Sequence, residues 1–364
     1  MKKSKILILH DTFLYKGGGE RLILMMGKAL GADIASGFFS AGSFDLRKEG
    51  FTGKIIPVSS EIFAKGFRHI KLKWNFLFST GFIKEYDTVL FSGDSISAVR
   101  NCKKETKKIY YCHTPPRYIY DLHNLYLKKV RWYLRPLFKM ACSIFKFLYE
   151  RDLKNMDLIL TNSENTKSRI KKYLGYDSVV LYPPVDTNRF VSLEQKGYFL
   201  SFARLADAKR VDKIVEAFTI IGDEELIVIY GKNDPQREKI FNLAQGHSNI
   251  KLVTLEDNDL LYDFIGNARA TIYIPIDEDF GMSPVESMSA GKPVLGVNDG
   301  GLKETIIHLK TGYLIDPECK VEDIISAVRY LSPEESTSMQ GACEARAKEF
   351  GLESFKKQLR GHVK

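Results

Sequence analysis

The feature that most constrains this chain is a double series of short apolar runs, each followed by an amphipathic stretch. Residues 6–9, 88–91, 108–112, 158–161 and 179–182 are short and largely apolar. Runs of this length, without polar alternation, read as parallel strands buried on both faces. Residues 20–30 and 164–174 carry helical apolar spacing between them. After a polar segment at 188–196, the pattern repeats at 198–202, 226–230, 251–255, 271–274 and 293–297, with helices starting near Val211, Pro235, Asp259, Ser283 and Leu302. Such alternation predicts an α/β fold of two Rossmann-like, doubly wound domains facing a cleft. The expected bounds are 1–189 for the first domain, 190–345 for the second, and 346–364 for a C-terminal helix that packs back on the first. In open parallel sheets ligands bind beyond the carboxyl ends of the strands. The residues to weigh are therefore those just after each run.

A length of 364 residues suits two domains, and a net charge of +9 favours acidic partners such as nucleotide phosphates or anionic lipid. No nucleic-acid module or basic–aromatic pattern beyond residues 117–120 accompanies that charge, so no nucleic-acid partner is expected. Cys102, Cys112, Cys142, Cys319 and Cys343 are scattered, with no C-x-x-C, and read as the reduced thiols of a cytoplasmic protein. Met1-Lys2-Lys3-Ser4-Lys5 precedes an apolar run too short for a signal peptide, and Lys139 and Lys146 interrupt the longest apolar stretch, 137–149. Residues 65–74 and 127–149 mix basic and apolar side chains, as segments at an anionic membrane surface do. A solvated basic helix over core residues is the competing reading.

Four motifs fall after strands. Asp277-Glu278-Asp279-Phe280-Gly281-Met282-Ser283-Pro284-Val285-Glu286 contains a capping box, with Ser283 at the N-cap, Pro284 at the first helical position and Glu286 at the third. Gly281 would let a ligand approach the backbone, and Glu278 and Glu286 suit sugar hydroxyls, since a carboxylate repels phosphate. In Phe202-Ala203-Arg204-Leu205-Ala206-Asp207-Ala208-Lys209-Arg210, Arg204 and Lys209 pair a planar donor fork with a point charge, a good match for a diphosphate. Lys16-Gly17-Gly18-Gly19-Glu20 lacks the ending of a P-loop and the spacing of a dinucleotide fingerprint, yet permits close backbone approach. In Tyr111-Cys112-His113-Thr114-Pro115-Pro116, the prolines fix the chain's exit and hold His113 at the rim. Two D-x-D strings, Asp277-Glu278-Asp279 and Asp257-Asn258-Asp259, have no third ligand. Arg204 and Lys209 already supply the positive charge of a metal, so no metal is expected.

These residues, in this order, resemble glycosyltransferase family 4, the retaining GT-B family, over nearly the whole chain. The family's E-x7-E motif looks like Glu278 through Glu286, its Arg…Lys motif like Arg204 and Lys209, its glycine loop like Gly17-Gly18-Gly19, and its first-domain histidine like His113. The resemblance implies a donor diphosphate on Arg204 and Lys209, ribose hydroxyls on Glu286 and the transferred sugar on Glu278. It gives Phe280, Gly281 and Met282 to the donor pocket, Gly17, Gly18 and Gly19 to the diphosphate or acceptor, and His113 with Glu278 to the reaction centre. Base contacts would come from the loops at Gly231-Lys232 and Leu255-Glu256. The His-Thr-Pro-Pro-Arg-Tyr string is similar to bacterial mannosyltransferases of O-antigen, lipopolysaccharide and capsule assembly. It implies GDP-mannose as donor. The expected acceptor is a glycan or lipid-linked molecule, and the cysteines and basic–apolar segments give a protein that is cytoplasmic or peripheral at the inner face of the plasma membrane. No cofactor is implied beyond the nucleotide sugar. A UDP-sugar transferase, a nucleotide-sugar epimerase on the same fold and a non-enzymatic glycan binder are the alternatives.

Overall fold

The computed structural model describes residues 4–61, 68–255 and 258–363. They form two units, Met1–Tyr182 with Lys356–Lys364, and Pro183–Phe355.

The first unit holds β1 (Ile6–His10), α1 (Gly18–Leu30), β2 (Asp33–Ser36), β3 (Ile55–Pro57), α2 (Arg68–Phe78), β4 (Thr88–Ser92), β5 (Lys107–Cys112), α3 (His123–Lys129), α4 (Arg135–Leu153), β6 (Leu158–Thr161), α5 (Glu164–Leu174) and β7 (Val179–Val180). Its sheet is ordered β3-β2-β1-β4-β5-β6-β7, every pairing parallel. Leu7, Ile8 and Leu9 are fully buried, as a strand covered on both faces requires. The helices between strands have defined ends. Gly31 closes α1 with φ 61°, and the Ser163 hydroxyl accepts the Thr166 N–H at the start of α5.

The second unit holds β8 (Phe199–Ser201), α6 (Val211–Ile221), β9 (Leu226–Ile229), α7 (Arg237–Ala244), β10 (Ile250–Val253), α8 (Asn258–Asn267), β11 (Ala270–Tyr273), α9 (Met282–Ser289), β12 (Val294–Val297) and β13 (Gly312–Ile315). Its order is β10-β9-β8-β11-β12-β13, again parallel throughout. In both units the strand order reverses beside the first strand, between β1 and β4 and between β8 and β11. That reversal opens a crevice at the carboxyl ends, the usual ligand position of such sheets.

The division between the units falls at Tyr182–Pro183, ahead of the expected boundary at 189–190. The reason lies in the polar segment. Val185 N–H bonds the Phe350 carbonyl, Leu193 N–H that of Gly266 and Lys196 N–H that of Asn267, so 183–196 is laid against the second unit. At the other end the expected tail 346–364 begins inside a helix of the second unit, Gln340–Glu349. It continues as the helix Leu352–Val363, whose last turns belong to the first unit. There the Lys107 ammonium donates to the His362 carbonyl at 2.9 Å, and Arg360 Nε to that of Ala29 at 3.1 Å. Among the described residues no helix is long and apolar enough to cross a membrane.

Candidate active site

In the second unit the loops after β8 and β11 flank the reversal of strand order. The Lys209 ammonium donates to Glu278 Oε2 at 2.6 Å and to the Tyr273 hydroxyl at 2.7 Å, with its charge 5.0 Å from the centre of the Tyr273 ring. Burial, then the neighbouring Glu278 carboxylate, push the Tyr273 phenol well above its ordinary range, which keeps it a neutral hydroxyl. Arg210 follows Lys209 at φ 52° and turns the other way. Its guanidinium is buried and bonds the carbonyls of Ile274, Pro275 and Pro317. The run of charge thus divides into one structural cation and one that faces the site. Arg204 stands largely in solvent, its Nε 3.6 Å from Asp234 Oδ1. Asp234 Oδ2 accepts the N–H groups of Leu205 and Gly231 at 2.9 and 3.0 Å, stapling the loop after β8 to the loop after β9.

The loop after β11 departs from the expected capping box. The helix α9 begins at Met282, with Gly281 as its N-cap at φ 86°, and Ser283 makes no cap bond. A left-handed residue ends the loop two positions earlier than the sequence pattern implies, and glycine alone takes that conformation without strain. Glu286 is consequently one turn into the helix, half-buried, and is not its cap. Gly281 and Met282 put their backbone N–H groups at the helix start. The Phe280 ring is buried edge-on against Phe350 at 5.5 Å, so a donor can meet only the backbone of Phe280. Sequence reasoning passed over Asp299-Gly300-Gly301, after β12. Asp299 accepts the Asp277 N–H, and Gly301 N–H bonds the Glu278 carbonyl at 2.8 Å. A Cβ on Gly300 would lie 2.3 Å from the Glu278 carbonyl oxygen, so glycine is what lets this turn support the Glu278 backbone.

In the first unit Gly17 is the N-cap of α1, with Gly18 and Gly19 opening the helix. None of the three has positive φ. A Cβ on Gly19 would reach 3.9 Å from His113 Cε1, so the glycine loop and His113 lie together. His113 Nε2 is 2.9 Å from Ser92 Oγ, and Ser92 Oγ is 3.0 Å from His10 Nδ1. His10 Nε2 is 3.1 Å from Asp11 Oδ1. Burial lowers both histidines to about 4, His113 further through His10, so both are neutral at neutral pH. Burial, then Asp94, raise Asp11 to about 6. Burial alone would raise Asp94 too, but Lys73 and His69, at 2.9 and 3.2 Å, hold it below the usual carboxylate range. His10, Asp11, Ser92 and Asp94 were not singled out from sequence. The signal was there only in their place, at and just past the ends of β1 and β4.

Among the described residues no group of three or more His, Cys, Asp or Glu stands at metal-binding proximity. Glu256 of the expected base loop, Asp257 of the second D-x-D string and the start of the basic segment, 65–67, lie outside the described residues.

Comparison with known proteins gives both halves a counterpart. Residues 16–189 match the model of Glycosyltransferase Family 4, and residues 185–350 that of Glycosyl transferases group 1. The alpha-1,3/1,6-mannosyltransferase ALG2 of Dictyostelium discoideum is 26% identical, over 88% of this chain and 88% of its own length. The human protein of that name is also 26% identical, over 99% of this chain and 96% of its own length. Neither name mentions O-antigen or capsule. Among solved structures, HepE from Anabaena, in complex with UDP and glucose, superposes with a TM-score of 0.73 at 16% identity over 99% of each chain. Sucrose-phosphate synthase from Thermosynechococcus elongatus reaches 0.77 at 16% identity over 98% of each chain. The fold is that of the GT-B glycosyltransferases.

Proposed function

The chain belongs to the glycosyltransferases that join a family 4 domain to a group 1 domain, and on that premise we propose that it transfers mannose from GDP-mannose, with retention, to a glycan or lipid-linked acceptor. The observation that carries the reading is the contact of Lys209 with Glu278. A cation suited to a diphosphate and a carboxylate suited to sugar hydroxyls stand one hydrogen bond apart, the spacing of a sugar and its adjoining phosphate. ALG2 relatives of matching length, named as mannosyltransferases, support the sugar. A second reading, a UDP-sugar donor, is favoured by the UDP and UDP-glucose in the HepE structures.

In this reading Arg204 and Lys209 bind the diphosphate, Glu286 the ribose, and Glu278 the transferred sugar, with backbone N–H groups of Gly281 and Met282 at the donor. The Gly17–Gly19 loop and His113 meet the reacting sugars. The sugar leaves as an oxocarbenium-like species. Lys209 turns from Glu278 to the leaving phosphate, whose oxygen takes the acceptor proton on the face where the new bond forms. Each preorganised donor of this kind is worth about 3–4 kcal/mol at the transition state. Arg204 and Lys209 supply the charge that a divalent ion supplies elsewhere. The test is a donor screen in excess EDTA, with product anomers read by NMR. GDP-mannose turnover to an α-linked product, unchanged by EDTA, is the expected result. Loss of turnover that Mn²⁺ or Mg²⁺ restores would refute metal independence; turnover with UDP-sugars alone would replace the donor.

The membrane part of the reading rests on α4. Its inner side buries Cys142, Tyr149 and Leu153. Its outer side exposes Leu137, Met140, Ile144 and Phe147, a helical stripe, beside exposed Trp132 and Tyr133. Lys139, Lys146, Arg131 and Arg135 border it, and basic residues near an anionic surface gain about 1 kcal/mol each. The segment 65–74 contributes less than its composition promised, because Lys73 points inward to Asp94. We propose that this stripe rests on anionic lipid, beside a lipid-linked acceptor. Flotation with anionic vesicles at low salt should carry the protein upward, and Ile144→Glu with Phe147→Glu should abolish it. Equal flotation of the double variant would dismiss the stripe.

A further inference from the structure

The row of polar groups Asp11–His10–Ser92–His113 is more than a packing arrangement, because the direction of each of its hydrogen bonds fixes the direction of the next. Three contacts of 3.1, 3.0 and 2.9 Å run from Asp11 Oδ1 through both nitrogens of His10 and the Ser92 hydroxyl to His113 Nε2. The parallel register sets His10 directly opposite Ser92, so the row is built into the pairing of β1 with β4. Asp11 Oδ1 also accepts the Thr12 N–H at 2.8 Å, which keeps that oxygen in place.

A neutral imidazole has one donor nitrogen and one acceptor nitrogen. With Asp11 ionised, His10 must donate from Nε2, which leaves Nδ1 bare. The Ser92 hydroxyl is then the donor to His10. Its oxygen already accepts the Ser95 N–H at the start of the following turn, and a hydroxyl accepts two bonds and gives one. The second acceptor place takes His113 Nε2–H. His113 Nδ1 is then bare, with no hydrogen-bond partner among the described residues, on a ring that is half-buried. With Asp11 protonated, every bond reverses and His113 Nδ1 carries the proton.

We infer that Asp11 is a positioning residue: acting through His10 and Ser92, it fixes the tautomer of His113, so that Nδ1 presents a lone pair to a sugar hydroxyl. The inference deepens the proposed role of His113 and rests on it for its purpose. In its working sense the site selects a partner that can donate, so a hydroxyl is accepted and a fluorine in its place is not. The neighbours agree with this state at neutral pH. Asp11 faces Asp94, His69 and His113, and His10 faces Glu20. Lys73 and His69, from α2, keep Asp94 ionised beside it. Both histidines stay neutral down to about 4, whereas Asp11 takes its proton near 6. The reversal therefore belongs to the interval between those values, before either ring is charged.

The experiment is ¹⁵N NMR of the histidine rings in the full chain without substrate, between pH 8 and 5. In the wild type, His10 and His113 should both be Nε2–H tautomers at pH 8 and convert together to Nδ1–H with a midpoint near 6. Asp11→Asn keeps an acceptor oxygen where Thr12 holds it and cannot ionise, so His113 should remain Nε2–H throughout. Asp11→Leu removes both the acceptor and the titrating group, so the conversion of His113 near pH 6 should be lost. In kcat/KM with a competent donor, the acid limb near 6 should vanish in Asp11→Asn. The inference is overturned if wild-type His113 keeps one tautomer across the range, a result that needs no variant to fold, or if folded Asp11→Leu still converts near pH 6. If the tautomers behave as stated while His113→Ala retains full turnover, the relay stands and the assignment of His113 to the sugar fails.

Discussion

His113→Ala should lower turnover by about 10²–10³ with little change in nucleotide affinity, the loss of one preorganised partner at the transition state. The ring is half-buried and its Nε2 is bound to Ser92, so some stability goes with it. Ser92 keeps its bonds to His10 and Ser95, which limits the loss to about 1 kcal/mol, a fall of about 2–4 °C in melting temperature. Melting temperature, nucleotide binding and initial rate, measured on one preparation, separate the outcomes. A large fall in melting temperature with normal activity in the folded fraction would make His113 a structural residue.

Lys209→Ala should be as costly. It removes the cation from the leaving diphosphate, a loss of about 10²–10³ in turnover, and free nucleoside diphosphate should bind about tenfold or more weakly. Lys209→Arg should recover little. The ammonium is held between Tyr273 and Glu278 at 2.7 and 2.6 Å, and a planar fork cannot take the place of a compact point charge there. Calorimetry with the free nucleotide, beside initial rates, is the measurement. Normal nucleotide binding by Lys209→Ala would confine Lys209 to holding Glu278.

The parts of this molecule that could be read in the sequence are those written locally. Residues 164–174 announce α5 by spacing alone, and the helix is Glu164–Leu174. The long buried runs of both sheets were equally plain. The strands that escaped, β2, β3 and β13, are short or mixed. Asp33–Ser36 holds two apolar residues, Ile55–Pro57 lies at a sheet edge, and Gly312–Ile315 opens with a glycine. Gly312 is there because a Cβ would lie 2.1 Å from the Val294 carbonyl oxygen, a tertiary reason with no local trace. The helix start at Gly281 lost to a better-looking capping box at Ser283, since local pattern cannot weigh a left-handed glycine against a hydroxyl cap. Arg204 and Lys209 were visible because two unlike cations beside a strand end are unusual. The row from Asp11 to His113 was invisible because His10 and Ser92 are distant in sequence and meet only through register.

The first unit is not continuous along the chain. Its closing segment, Lys356–Lys364, is separated from the rest by the whole of Pro183–Phe355. The carbonyls of His362 and Val363 that receive Lys107, and the Arg360 that bonds Ala29, are synthesised after the whole of the second unit. The second unit is complete along the chain before those contacts of the first can form. A chain that stops short of Lys356 lacks these contacts of the first unit while keeping the whole of the second.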